Sequence, residues 1–423
     1  MRTNSSHIWA PLGQVPVFVV AGFTSLVAAG LLGPSTWGVV STINATVALI
    51  TVISALGYPT QIARNPNILS KPLDLLRRIP LLILVVGATA LLALRLVAAP
   101  GSVIGEAPLA HWAIYTFLLL LSIALTVNEW VLSLFQGLER FRDLAVLRLL
   151  AVTLPGLAVV IVASISADLG KALLALVFSN LLLSVILTVI FSSATRRGVQ
   201  TATADERVNL ENRKFAIKPT QLLGSYLTSV ALLLALRVDL IVASVRSDAA
   251  AVGTFALALM LAETAWFVAN GAAISMLPRI AKAAGVDQAS LMDRSLWWSL
   301  LAATLTSAVL VGVVAPVLQA VLGRDFDDLF WNLLVLAPGM IAFVVAKLRL
   351  TQLIGHNLWI QTIALCAVVI ASKLALNLFL PEQFGPLLPA TATSVSYVFG
   401  AIVVAIVTKQ IFNRRRRRGS DAG

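Results

Sequence analysis

Between Arg2 and Arg64 the chain carries no Asp, Glu, Lys or Arg. A soluble fold of ordinary composition places a charge at about every fourth residue, so a stretch this long without one belongs in a bilayer. About 20 apolar residues cross the hydrocarbon. The stretch is therefore long enough for two crossings, and Gly33-Pro34-Ser35 marks the turn between them. With one early Arg2 and no small-residue cleavage pattern, the start reads as a retained first span, not a removed signal peptide.

The rest of the 423 residues repeat this character: 59% are hydrophobic and 12% charged, with a mean hydropathy of +0.94. The apolar residues come in blocks and not in one-sided stripes, so the helices are apolar all round and face lipid. The blocks predict twelve spans, at 10–32, 37–57, 79–99, 111–134, 144–166, 171–193, 219–243, 249–275, 294–318, 328–348, 357–380 and 386–411. The expected fold class is thus an all-α integral membrane protein. A net charge of +12 comes from short basic clusters between the blocks and from Arg414 to Arg418, a pattern that points away from nucleic acid. Of 31 Lys and Arg, 25 fall on one side of this threading. Only Arg95, Lys171, Arg237, Arg246, Arg324 and Lys373 fall on the other. That asymmetry predicts a multi-pass protein of the cell membrane with both termini cytoplasmic. The terminal arginines are expected to bind anionic lipid.

A polar segment at 196–218 divides the spans into two sets of six. The expected domains are an N-terminal lobe at 1–195, a cytoplasmic linker at 196–218, a C-terminal lobe at 219–412 and a basic tail at 413–423. Trp37-Gly38-Val39 recurs as Val252-Gly253-Thr254, an offset of 215. Gln136 near the end of span four recurs as Gln352 near the end of span ten, an offset of 216. Because six is even, two such lobes are related by a pseudo-two-fold along the membrane normal, the plan of transporters that rock two halves around a central site.

Enzyme signatures are missing. There is no G-x-x-x-x-G-K-[ST] run for a nucleotide phosphate. His7, His111 and His356 stand in separate segments without metal-ligand spacing, and the single cysteine, Cys366, lies in an apolar block. Neither an enzyme, a cofactor nor a metal is expected. The informative residues are charges inside spans, which cost about 2.5–3.5 kcal/mol each at a helix centre and so face protein or water. Glu263 is a candidate ion site or a partner for a basic residue. Glu129 is a candidate partner for Arg148. Arg237 and Asp239, two residues apart, cannot share a helix face and need separate partners; Lys373 is a candidate for Asp239. Arg95, Arg237 and Lys373 together are expected to make the outer half of a central path basic, which suits a diphosphate or an acidic sugar. Trp297 and Trp298 read as interfacial anchors. Pro155-Gly156 and Pro338-Gly339 are candidate hinges.

Several stretches resemble a known family. Leu32-Gly33-Pro34-Ser35-Thr36-Trp37-Gly38 is similar to the glycine-bracketed turn after the first helix of oligosaccharide flippases. These belong to the superfamily that also holds multidrug and toxin extrusion antiporters and lipid II flippases. Gln136-Gly137-Leu138-Glu139-Arg140-Phe141-Arg142 resembles that family's segment after helix four. Val238-Asp239 with Ala251-Val252-Gly253-Thr254-Phe255-Ala256 resembles its stretch across helices seven and eight. Leu277-Pro278-Arg279 and Leu322-Gly323-Arg324-Asp325-Phe326 match two further motifs. The resemblance implies structural roles for Gly33, Gly38, Gln136, Gly137, Arg140, Gly253, Pro278 and Gly323, and a basic cavity between the lobes. It also implies export of a polyprenyl-diphosphate-linked oligosaccharide by alternating access, with the lipid-linked glycan, membrane lipids and a glycan polymerase or synthase as partners. The first two spans lack the charges that lipid II flippases place there, which favours a general polysaccharide-precursor exporter. A cation-coupled drug or metabolite antiporter of the same superfamily and a non-transporting scaffold for a glycan synthase are the alternatives.

Overall fold

The computed structural model describes residues 13–64, 85–89, 92, 103, 111–201, 219–282, 287–322, 326–380 and 382–420. Those residues are helical throughout apart from short turns. The first helix, α1 (Gln14–Ser54), is 41 residues long. A straight helix of that length would reach about 60 Å, twice the hydrocarbon thickness. It does not run straight. Gly33 adopts φ 77°, ψ 164°, a conformation open to glycine, and Pro34 has no N–H with which to continue the ladder. The chain reverses there into limbs at 14–32 and 34–54, as the sequence predicts.

The remaining elements are α2 (Tyr58–Arg64), α3 (His111–Gly137), α4 (Phe141–Ile165), α5 (Leu169–Thr201) and α6 (Pro219–Arg246). Then come α7 (Ala249–Glu263), a 3₁₀ turn at Thr264–Trp266, α8 (Phe267–Lys282) and α9 (Asp287–Val309). A π-helical turn at Leu310–Val314 leads into α10 (Ala315–Leu322). The chain finishes with α11 (Leu329–Gly355), α12 (Trp359–Phe379), a 3₁₀ turn at Glu382–Leu387 and α13 (Leu388–Ser420). Among the described residues ten helical stretches are long and apolar enough to cross a membrane, with α1 counted once. Most of the expected span at 79–99 lies outside the described residues, as do Arg95, Gly323 and most of the segment at 196–218. The Leu, Ile, Val and Phe side chains left exposed along α4, α5, α9 and α13 suit a surface solvated by lipid. Trp297 and Trp298 are exposed as well.

The helices form two lobes, α1–α5 and α6–α13. The end of the bundle where α1 begins is here the near end, and the end holding Gly33 is the far end. The internal repeat is plainest at two near-end corners. Glu139 (φ 58°) and Arg140 (φ −84°, ψ 62°) join α3 to α4. Asn357 (φ 60°) and Leu358 (φ −86°, ψ 59°) join α11 to α12 in the same conformation. The hydrogen bonds match as well: Arg140 N to Phe135 O at 3.0 Å corresponds to Leu358 N to Leu353 O at 2.9 Å. The offset here is 218, so Gln136 is the counterpart of Ile354 and not of Gln352. That corrects the second landmark of the sequence repeat. The first holds: Gly38 and Gly253 meet where the lobes cross at the far end, each glycine's missing side chain leaving room for the other helix's backbone.

The expected hinges at Pro155-Gly156 and Pro338-Gly339 lie inside continuous helices. A Cβ on Gly156 would meet Thr24 Oγ1 at 2.6 Å, and one on Gly339 would meet Ser394 Cα at 2.5 Å. These glycines let neighbouring helices approach closely.

A candidate substrate site between the lobes

The charges on α6 diverge because two residues on a helix are about 200° apart. Arg237 reaches the last residue of α7 and forms a two-pronged pair with Glu263, Nη1 to Oε1 at 2.7 Å and Nη2 to Oε2 at 3.0 Å. Asp239 points the other way. Its Oδ2 accepts from Lys373 Nζ of α12 at 2.7 Å and from Thr393 Oγ1 of α13 at 2.7 Å, while Oδ1 accepts from Leu240 N at 2.9 Å. Both Asp239 and Lys373 are completely buried. The Lys373 ammonium also sits 4.1 Å from the centre of the Tyr397 ring, and Tyr397 stacks on Phe343, which stacks on Trp266. This cluster ties α6, α12 and α13 together inside the C-terminal lobe. Lys373 is thus the partner that the sequence suggested for Asp239. It does not line an open basic path, and Arg237 is neutralised by Glu263. The expectation that these two cations make the outer half of the path basic is corrected by their own carboxylates.

A cavity of about 580 Å³ opens at the far end of the same lobe, lined among others by Arg246, Asp248, Asp327 and Asn377. Three of its lining residues, Ala243, Asn377 and Pro389, stand four residues from Asp239, Lys373 and Thr393 respectively. One helical turn therefore separates the cavity from the buried pair. That turn is braced: the Asn377 amide donates to Lys373 O at 2.9 Å, and Arg246 donates to the Asn377 carbonyl.

Two further cations inside helices have no ion pair among the described residues. Lys347 of α11 and Arg148 of α4 are both half-buried, one in each lobe. The Lys347 ammonium stands 5.2 Å from the Trp266 ring centre and senses Glu263 and Arg237. Arg148 senses Glu129 of α3, but the two do not close to an ion pair, and Arg148 Nε has no hydrogen-bond partner. The direct Glu129–Arg148 pair expected from sequence is therefore absent. Sequence reasoning counted Arg148 and Lys347 with the cytoplasmic charges and singled out Arg148 only as a partner for Glu129. Their depth was the available signal: Lys347 stands eight residues before the end of α11, and Arg148 seven after the start of α4. Two half-buried cations, one on each lobe and neither closed into an ion pair among the described residues, leave donors with which an anion can pair.

The residues singled out by motif have packing roles. A Cβ on Gly137 would meet Ile62 O at 2.5 Å. Gln136 Nε2 donates across the lobes to Ile274 O at 3.2 Å. Arg140 starts α4 and pairs with Asp143 at 2.6 Å, and Pro278 is carried inside α8. Among the described residues no three His, Cys, Asp or Glu side chains are grouped to hold a metal.

Comparison with known proteins follows the fold. Residues 6–284 match the family model described as "Polysaccharide biosynthesis protein". Among solved structures, a Vibrio cholerae MATE transporter, VcmN, superposes with a TM-score of 0.64 at 13% identity, covering 97% of this chain and 99% of that one. The MATE multidrug transporter DinF-BH gives 0.62 at 16% identity over 96% and 94%. An outward-facing MATE family transporter of the MOP superfamily gives 0.58 at 13% over 99% and 96%, and an inward-facing one gives 0.59 at 14% over 95% and 96%. A search of curated proteins finds no match. The two-lobed fold is therefore the one these MATE transporters have, and the chain belongs to the family described as polysaccharide biosynthesis protein.

Proposed function

We propose that this protein exports a lipid-linked oligosaccharide across the cell membrane by alternating access of its two lobes. What supports this reading is the family match over residues 6–284, together with two half-buried basic residues, Arg148 of α4 and Lys347 of α11, one carried by each lobe. A polyprenyl diphosphate supplies the missing charge. Guanidinium binds phosphate oxygens in a fork, and an ammonium serves as a point charge beside it. Bound between the lobes, the diphosphate screens two cations that otherwise repel, so cargo favours the closed arrangement of the site. Arg237–Glu263 forms the adjoining wall as a neutral pair, leaving the net attraction with the other two residues. The near end is cytoplasmic in this reading, because Arg64, Arg140 and Arg142 stand at the helix ends there. A glycan polymerase or synthase then takes the cargo on the far side.

The test is the lipid itself. Cells lacking the gene should accumulate an oligosaccharide-bearing polyprenyl diphosphate on the cytoplasmic side, detected by mass spectrometry of extracted lipids. Cells carrying Lys347→Met should accumulate it as well. A normal lipid pool together with altered sensitivity to cationic drugs would reassign the protein to drug export. Unchanged lipids, unchanged drug sensitivity and loss of a synthase from the membrane would point to a scaffold.

A further inference from the structure

Each lobe contributes one corner at the near end in which a residue with positive φ turns the chain between two long helices, Glu139 in one lobe and Asn357 in the other. The α11–α12 corner does not stand alone. Arg64, the last residue of α2 in the opposite lobe, reaches across and donates from Nη1 to Asn357 Oδ1 at 2.7 Å. Its Nη2 lies 3.4 Å from the carbonyl of Gly355, which it also bonds, and its guanidinium sits 5.1 Å from the Trp359 ring centre. One side chain thus grips three successive features of the other lobe.

Among the described residues the other hydrogen bonds across the near-end seam, Gln136 Nε2 to Ile274 O at 3.2 Å among them, are weaker. Thr60 and Ser229 hydroxyls meet at 3.3 Å, Gln61 donates to Gln221 O at 3.0 Å, and Ser225 donates to Gly57 O at 3.2 Å. All are bonds between neutral groups, each worth about half of one made by a charged donor. The sequence repeats the design. Ile62-Ala63-Arg64 returns as Ile280-Ala281-Lys282 at the offset of 218 that also relates Glu139 to Asn357. A basic residue and a polar corner residue therefore stand at matching positions in both halves.

We propose that Arg64 is the latch of the near end: its grip on Asn357, Gly355 and Trp359 holds the lobes together there and shuts the near-side route to Lys347 and Arg148. This rests on the alternating-access reading above. The arrangement suits a latch, because a guanidinium remains charged when partly desolvated and its partners are a neutral amide, a carbonyl and a ring. It holds without the deep cost of a buried ion pair and releases without stranding a carboxylate.

The experiment uses full-length protein with Cys366→Ala and a reporter Lys347→Cys, in membrane vesicles of both orientations. A membrane-impermeant maleimide added on the near side measures how often the central site opens that way. With Arg64→Ala the labelling rate should rise at least tenfold, with Arg64→Lys less, and with Asn357→Asp it should fall, because the bond becomes an ion pair. Thermal unfolding of each variant in detergent shows that it is folded. Equal rates in the parent and in folded Arg64→Ala would overturn the latch while leaving alternating access in place. Should Arg64→Ala not fold, Asn357→Asp decides: slower labelling supports the latch, and an unchanged or faster rate overturns it. A reporter unreactive from either side in every variant would overturn the alternating-access reading and the latch with it.

Discussion

Gly38 and Gly253 lie backbone against backbone where the lobes cross, each beside the carbonyl four residues before its partner. A Cβ on Gly38 would stand 2.1 Å from Ala249 O, and one on Gly253 would stand 2.0 Å from Pro34 O. The contact is its own image under the offset of 215, so it sits on the pseudo-two-fold axis. Carbonyl oxygens cannot give way as a flexible side chain does. Gly38→Ala and Gly253→Ala should each force the far end apart, with an overpacking cost of about 1–3 kcal/mol. Thermal unfolding of the purified protein should show a drop of a few degrees, and cysteine labelling from the far side should become faster. A variant with unchanged stability and labelling would show that the helices separate freely at this crossing.

Asp239 and Lys373 form a completely buried pair. Removing one partner strands a charge in a low-dielectric interior and costs about 3–5 kcal/mol, whereas removing both together costs much less. Lys373→Met should therefore lower the unfolding temperature sharply, and Asp239→Asn combined with Lys373→Met should recover most of the loss. A double variant as unstable as the single one would mean that packing, and not charge, governs this cluster.

Arg237 grips Glu263 with both terminal nitrogens. An ammonium cannot reproduce that fork. Arg237→Lys should lose about 1–2 kcal/mol in a double-mutant cycle with Glu263→Gln, the scale of one charge-assisted bond. Additive effects in the cycle would show the two residues to be uncoupled.

Lys347 and Arg148 lack a closed ion pair, so replacing them should affect transport far more than folding. Lys347→Met and Arg148→Met should each reduce export of the lipid-linked precursor at least tenfold while changing the unfolding temperature by no more than a few degrees. Lys347→Arg, which keeps the charge, should retain part of the export. Lipid analysis of complemented deletion cells together with thermal unfolding separates the two effects. Destabilisation as large as that of Lys373→Met would place these residues in the scaffold.

The sequence by itself marked the apolar helices found among the described residues and the break at Gly33-Pro34, because hydrocarbon solvates no charge and a helix must be about 20 apolar residues long to cross it. It also showed that Arg237 and Asp239 need different partners, since helix periodicity is a local property. Only the tertiary structure decided which charges find a partner. Arg237 and Lys373 were expected to make a path basic although Lys373 was also a candidate partner for Asp239, and both are neutralised by carboxylates on other helices. Arg148 and Lys347 fell just inside the ends of their expected spans and were counted with the cytoplasmic charges, because helix ends are blurred by a few residues; each lies two turns inside its helix. The register of the repeat followed the same rule. The Gly38–Gly253 match survived because a backbone crossing tolerates no other residue. The Gln136–Gln352 match was set aside because matching hydrogen bonds at the two corners fix a different offset.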